Sequence, residues 1–207
     1  MIRFVFCLVL PILLLSCKKG QGTFVLCGEI TDATFQTELS GAKVMLFKVP
    51  AGSSNEIAVD SVILGDDGKY SFSFPREQME KYIIKISKDG YFSLSEDIHF
   101  SSLSLDDENT RDYSTTAKSW VGIQLMNQNP QVDDHLTYIK QEGKQGCLEC
   151  CPSTEQNFYG TTDTTIYCIN DGNEAYSVYY WVNGTTTQEI ISQVTPAFDT
   201  SYITITY

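Results

Sequence analysis

Apolar and polar residues alternate along most of the chain, and glycine, proline, asparagine or aspartate interrupts the alternation at short intervals. Leu26, Gly28 and Ile30 share one face of a first segment; Val44 and Leu46 mark a second, and Val59, Val62 and Leu64 a third. Tyr70, Phe72 and Phe74 alternate with Ser71 and Ser73 until Pro75 ends the segment, and Tyr82, Ile84 and Ile86 repeat the pattern. A period of two belongs to a strand with one face on a core and the other in water. Asp66-Asp67-Gly68 and Asp89-Gly90 are steps that favour hairpin turns between such strands. About seven strands over residues 24–101 therefore predict an antiparallel β-sandwich without substantial helix.

The pattern stops at residues 102–118, where Leu105-Asp106-Asp107-Glu108-Asn109-Thr110-Arg111-Asp112 has no apolar period, so the stretch reads as an acidic linker. It resumes with Val121, Ile123 and Leu125 on one face of a strand and Trp120 on the other. Short strands follow at 136–140, 164–169, 175–182, 185–191 and 202–207, with Asn183-Gly184 as the strongest two-residue hairpin turn and 141–156 as a loop. Residues 119–207 thus predict a second sandwich. The fold class is all-β, with two tandem antiparallel β-sandwiches of Ig-like or transthyretin-like type.

The first residues depart from this alternation in a different way. Arg3 precedes an apolar run from Phe4 to Leu15, interrupted by Pro11 and too short to span a bilayer, and then Ser16-Cys17-Lys18-Lys19. A basic start, a short apolar centre and a small residue at the cut define a removable secretory signal over residues 1–16. Leu14-Leu15-Ser16-Cys17 resembles the lipobox of bacterial lipoproteins. That resemblance implies a diacylglyceryl thioether and palmitate on Cys17, cleavage before it, and a membrane partner reached through the lipid. Residues 17–23 become a lipidated tether of at most ~25 Å, so the first sandwich sits close to the bilayer. The residue after Cys17 is Lys18 rather than aspartate, which resembles outer-membrane sorting in a Gram-negative cell envelope. The expected location is the outer membrane, with the periplasmic face slightly favoured over the cell surface.

Charge narrows the partners. The chain has 14 Lys+Arg against 26 Asp+Glu, a formal charge of -12 that becomes one unit more negative when Arg3 leaves with the signal. Such a surface repels phosphate backbones, so no nucleic-acid partner is expected.

Gly28-Glu29-Ile30-Thr31-Asp32, Leu39-Ser40-Gly41-Ala42-Lys43-Val44, Asp66-Asp67-Gly68-Lys69-Tyr70-Ser71-Phe72 and the stretch from Tyr82 to Tyr91 resemble the carboxypeptidase regulatory-like domain. The resemblance spans residues 24–101 and implies a transthyretin-like sandwich. Its motifs are turn glycines and core alternation, with no catalytic residue among them, so it implies a scaffold or binding module.

Candidate chemistry lies mainly in the second half. Cys147, Cys150 and Cys151 cluster in a glycine- and charge-rich loop, and Cys168 lies on a predicted strand able to hold that loop to a sheet. In an exported chain structural disulfides are the first reading. They come ahead of a Cys-x-x-Cys redox pair, which sits at the start of a helix and none follows here, and of a zinc site, which needs four ligands and has His135 as its nearest histidine. The three possible pairings stay open. Cys27 remains as a free thiol or an inter-domain bridge. Tyr176, Tyr179, Tyr180 and Trp181 occupy one strand, whose two faces must divide them between a core and a surface able to meet a partner or a sugar. His135, after Asp133-Asp134, reads as part of a solvated loop, and His99 as a structural strand residue. No cofactor, metal or catalytic residue is expected. The sequence therefore points to a non-enzymatic lipoprotein that is a binding or accessory subunit of an envelope protein complex, or else a carbohydrate- or ligand-binding module.

Overall fold

The computed structural model describes residues 22–207 apart from Leu148. The predicted signal, Cys17 and residues 18–21 lie outside the described residues. Sixteen strands account for the described chain, together with a 3-10 turn at Phe100–Ser102. None of the described helices is long and apolar enough to cross a membrane.

The first sandwich contains β1 (Thr23–Asp32), β2 (Thr37–Glu38), β3 (Lys43–Pro50), β4 (Ile57–Ile63), β5 (Lys69–Pro75), β6 (Met79–Ser87), β7 (Leu94–His99), β8 (Asn109–Thr110) and β9 (Tyr113–Thr115). One sheet has the order β4-β3-β6-β7; the other is built on β1, with β2, β5, β8 and β9 paired to it. The residues expected to face inward do so: Leu26, Ile30, Val44, Leu46, Phe72 and Ile84 are fully buried between the sheets. Each such side chain contributes about 1.5–3 kcal/mol of transfer free energy. Gly68 and Gly90 take the positive φ that their turns require, 63° and 76°.

The stretch read as a linker is largely part of this sandwich. Residues 109–115 run parallel to β1, with Leu26 opposite Asn109 and Ile30 opposite Tyr113. The reason lies in Gly28: a Cβ there would stand 1.9 Å from the Arg111 carbonyl oxygen, so only glycine lets this segment lie across β1. Arg111 N–H donates to the Cys27 carbonyl at 2.8 Å, and the Tyr70 hydroxyl donates to the Arg111 carbonyl at 2.7 Å. Asn109 is buried and its amide donates to the Val25 carbonyl. Backbone pairing and specific side-chain hydrogen bonds hold a segment that has no apolar period of its own.

The second sandwich contains β10 (Lys118–Met126), β11 (His135–Glu142), β12 (Gln156–Tyr159), β13 (Asp163–Asp171), β14 (Glu174–Val182), β15 (Gln188–Thr195) and β16 (Thr200–Thr206). Its sheets are β13-β10-β16 and β12-β11-β14-β15. Pairing is antiparallel except that β16 runs parallel to β10, as β8 and β9 do to β1. Gln156–Tyr159 forms the edge strand β12 immediately after the cysteine loop. The Asn183-Gly184 hairpin forms, but as a longer connection: Val182 N–H pairs with the Thr187 carbonyl at 3.0 Å, and β15 starts only at Gln188.

The two sandwiches are fastened together. Ala117 is fully buried against the first core, its N–H bonded to Thr34 Oγ1 and its carbonyl accepting from Gly172 N–H of the second sandwich. Phe198 holds a left-handed backbone (φ 65°), stacks on Phe35 at 5.9 Å and packs against Tyr91 at 5.4 Å. Lys144 pairs with Asp171 at 2.8 Å and lies 4.3 Å from the Phe92 ring centroid across the junction.

Candidate functional site

The register of the β12-β11-β14-β15 sheet arranges its outer face in rows. Strand alternation sends Tyr176, Val178, Tyr180 and Val182 inward and Tyr179 and Trp181 outward. Tyr176 and Tyr180 are therefore core residues, at 0% and 5% exposure, and drop out of the group of contact candidates. One row is Asn157, Thr137, Trp181 and Gln188, in direct register across four strands. The row on one side holds Tyr159 and His135, with Asn183 just beyond the end of β14. The row on the other side holds Ile139, Tyr179 and Ile190.

Hydrogen bonds fix this surface. His135 Nε2 and Asn157 Oδ1 are 2.8 Å apart, and the Asn183 amide approaches Nδ1 at 2.8 Å, a pairing that fits the tautomer with its proton on Nε2. Thr137, almost fully buried, donates to Asn157 Oδ1 at 2.9 Å and accepts from the Asn183 amide at 3.3 Å. The His135 ring stacks on Tyr159 at 4.2 Å, and Tyr179 and Trp181 lie 5.5 Å apart, with the Tyr179 hydroxyl donating to Gln188. His135 thus belongs to an ordered strand, and the loop reading is corrected. The neighbouring Asp134 carboxylate accepts from the Asn127 amide and from Gln131 N–H, both at 2.7 Å, and these bonds hold its pKa below the usual carboxylate range.

The cysteines pair as Cys147–Cys150 and Cys151–Cys168, the second fastening the loop to β13. Cys27 is a free, half-buried thiol, 3.6 Å from Glu108 Oε2, in a cleft of ≈ 510 Å³ also lined by Glu29, Tyr70 and Asp112. Behind the disulfide loop lies Lys140, 4% exposed. Its ammonium donates to the carbonyls of Lys144, Cys150 and Cys151 at 2.7, 2.9 and 2.7 Å. Burial pushes its pKa below that of an ordinary lysine. It was missed in the sequence, although alternation with Leu136 and Tyr138 points it inward. Burial likewise pushes the Tyr138 hydroxyl up to about 12. Among the described residues, no group of three or more His, Cys, Asp or Glu side chains could hold a metal ion.

No protein-family model matches the sequence, and no curated protein matches it. Among solved structures, a streptococcal ancillary pilin aligns over 89% of this chain and 62% of its own, at 12% identity and TM-score 0.37. The shaft pilin SpaA from Lactobacillus rhamnosus GG aligns over 90% of this chain and 97% of its own, at 9% identity and TM-score 0.33. The 3-chlorocatechol 1,2-dioxygenase from Rhodococcus opacus 1CP aligns over 47% of this chain, at 12% identity and TM-score 0.35; this chain spans only 61% of that enzyme's length. At such identities and TM-scores none of these likenesses carries an argument about this chain.

Proposed function

We propose that the protein is a non-enzymatic lipoprotein, anchored through Cys17 in the outer membrane, that serves as a binding or accessory subunit of a cell-envelope protein complex. In this reading the first sandwich is the carboxypeptidase regulatory-like scaffold, and it faces the periplasm. The observation that carries the reading is the junction at Ala117, Phe198 and Lys144, which joins two sandwiches and so presents the second at a set attitude to the first. A spacer that holds a surface at a set position serves assembly. The polar groups that would suit chemistry are engaged in structure: His135 with two asparagines, Lys140 with three carbonyls. A tagged full-length chain extracted in mild detergent is expected to bring down a stoichiometric companion protein, and its isolation alone would refute the reading. Loss of the chain from the membrane fraction in Cys17→Ala tests the anchor.

A second reading, a carbohydrate- or ligand-binding module, is favoured by a different observation: Tyr179 and Trp181 face outward beside exposed Tyr159.

A further inference from the structure

The geometry points to a neutral glycan chain as the ligand of the outer β12-β11-β14-β15 face, lying across Tyr159, Asn157, Trp181 and Gln188. This rests on the second reading above and gives it a place and a ligand class.

Charge is the first argument. The chain carries a formal charge of -12, yet the three rows from Tyr159 to Ile190 contain no carboxylate, lysine or arginine, and the adjoining Asn183-Gly184-Thr185-Thr186-Thr187 turn contains none either. The carboxylates that border the face are Glu155, the exposed residue just before β12, and Glu142, engaged by the Ser177 hydroxyl at 3.2 Å. A cationic ligand would be drawn to the acidic surface elsewhere, and an anionic one would find no positive partner here. An uncharged island on an acidic protein is complementary to an uncharged ligand.

The chemistry of the island narrows the class. Rings of Tyr159 and Trp181 stand on different strands and offer apolar faces to C–H groups, while the amides beside them offer donors and acceptors to hydroxyls. Asn157 Oδ1 is consumed by His135 and Thr137, and Gln188 Oε1 by the Tyr179 hydroxyl; among the described residues neither amide nitrogen has a protein partner. Both amides are thereby held with their N–H groups available. A sugar presents one apolar face and a rim of hydroxyls that accept from such donors. Four strands span ~14 Å, the scale of an oligosaccharide rather than a single ring. The central row is mostly polar, with the apolar row Ile139, Tyr179 and Ile190 beside it, the mixture that a sugar's hydroxyl rim and C–H face require.

The test titrates the full-length chain in detergent with neutral gluco-, manno- and galacto-oligosaccharides, and with polygalacturonate as the charged comparison, following tryptophan fluorescence and heat. The expected result is binding of at least one neutral series, weakened about tenfold or more in Trp181→Ala and in the exposed-residue variants Tyr159→Ala and Gln188→Ala. Trp120 lies on the other sheet, so the fluorescence change is expected to vanish in Trp181→Phe while heat of binding persists. Binding of no neutral glycan, preference for polygalacturonate, affinity unchanged in Tyr159→Ala and Gln188→Ala, or self-association through this face in sedimentation would each overturn the inference. Co-purification of a companion is read separately: a companion that persists in Tyr159→Ala leaves the accessory-subunit reading standing even when no glycan binds.

Discussion

The first core is a large cluster of apolar and aromatic side chains, from Phe24 and Leu26 to Ile86 and Ile98, with buried Asp32, Asn109 and Thr115 as its polar members, and Cys27 beside it is unpaired. The second core is smaller and is ringed by polar devices: two disulfides, the buried Lys140 ammonium, and the fully buried Asn170, which shares Thr195 with Ser119. Apolar burial is non-directional and tolerates slippage, whereas disulfides and satisfied buried polar groups fix one arrangement. The first sandwich has such polar groups but no covalent cross-link among the described residues. In the second, disulfides and buried polar bonds lie behind the sheet whose outer face carries the aromatic and amide groups.

Removing the cross-link that only the second sandwich possesses is expected to have the largest effect. Cys151 and Cys168 close a loop with a sequence separation of 17, and in the chain-entropy model such a loop contributes about 3 kcal/mol. The Cys151→Ala, Cys168→Ala double variant should lose about that much, read by hydrogen exchange as faster opening of β11 and β14 with β3 and β6 unchanged. Equal loss in both sandwiches would mean that the junction makes them a single cooperative unit and that the contrast drawn above is one of composition only.

Lys140→Met comes next. It keeps the side-chain stem but orphans three carbonyls, at a cost of about 2 to 3 kcal/mol to the second sandwich in chemical denaturation. The pH dependence has a definite sign. Because burial lowers the Lys140 pKa in the folded chain, the unfolded chain binds more protons between that lowered value and the ordinary lysine value of ~10.4. The wild type should therefore gain stability as pH rises through that window, and Lys140→Met should lack that gain.

In the first sandwich the matching test is steric. Gly28→Ala would drive a Cβ into the Arg111 carbonyl, and the expected cost is about 2 kcal/mol, with β8 and β9 released from β1. Unaltered protection of Arg111 N–H in that variant would contradict the account of how the acidic segment is held. That segment also marks where sequence reading stopped. Alternation in Tyr70-Ser71-Phe72-Ser73-Phe74 records burial directly, because the core selects every second residue, and the two-sandwich architecture was legible for that reason. Residues 109–115 bury little apolar surface and are held by backbone pairing and by the space over Gly28, neither of which leaves a periodic trace. On the candidate face, the division of Tyr176 from Tyr179 followed from strand parity alone. The His135, Asn157 and Asn183 cluster did not, since it joins residues from three segments through register that a local pattern does not encode.

Between the two sandwiches lies the smallest expected effect. Phe198 and Phe35 are each about half exposed, 48% and 46%, so their stacking displaces less water than a core pair. An aromatic pair contributes about 0.5–1.5 kcal/mol beyond its burial, and the exposed position argues for about 1 kcal/mol here. A double-mutant cycle of Phe198→Ala and Phe35→Ala should return that coupling energy. Its structural consequence is expected to exceed its energetic one: small-angle scattering of Phe198→Ala should broaden the distribution of inter-domain distances while both cores keep their exchange protection. A narrow, wild-type distribution would assign the fastening to Ala117 and Lys144 alone, and would leave the left-handed backbone of Phe198 without a role at the junction.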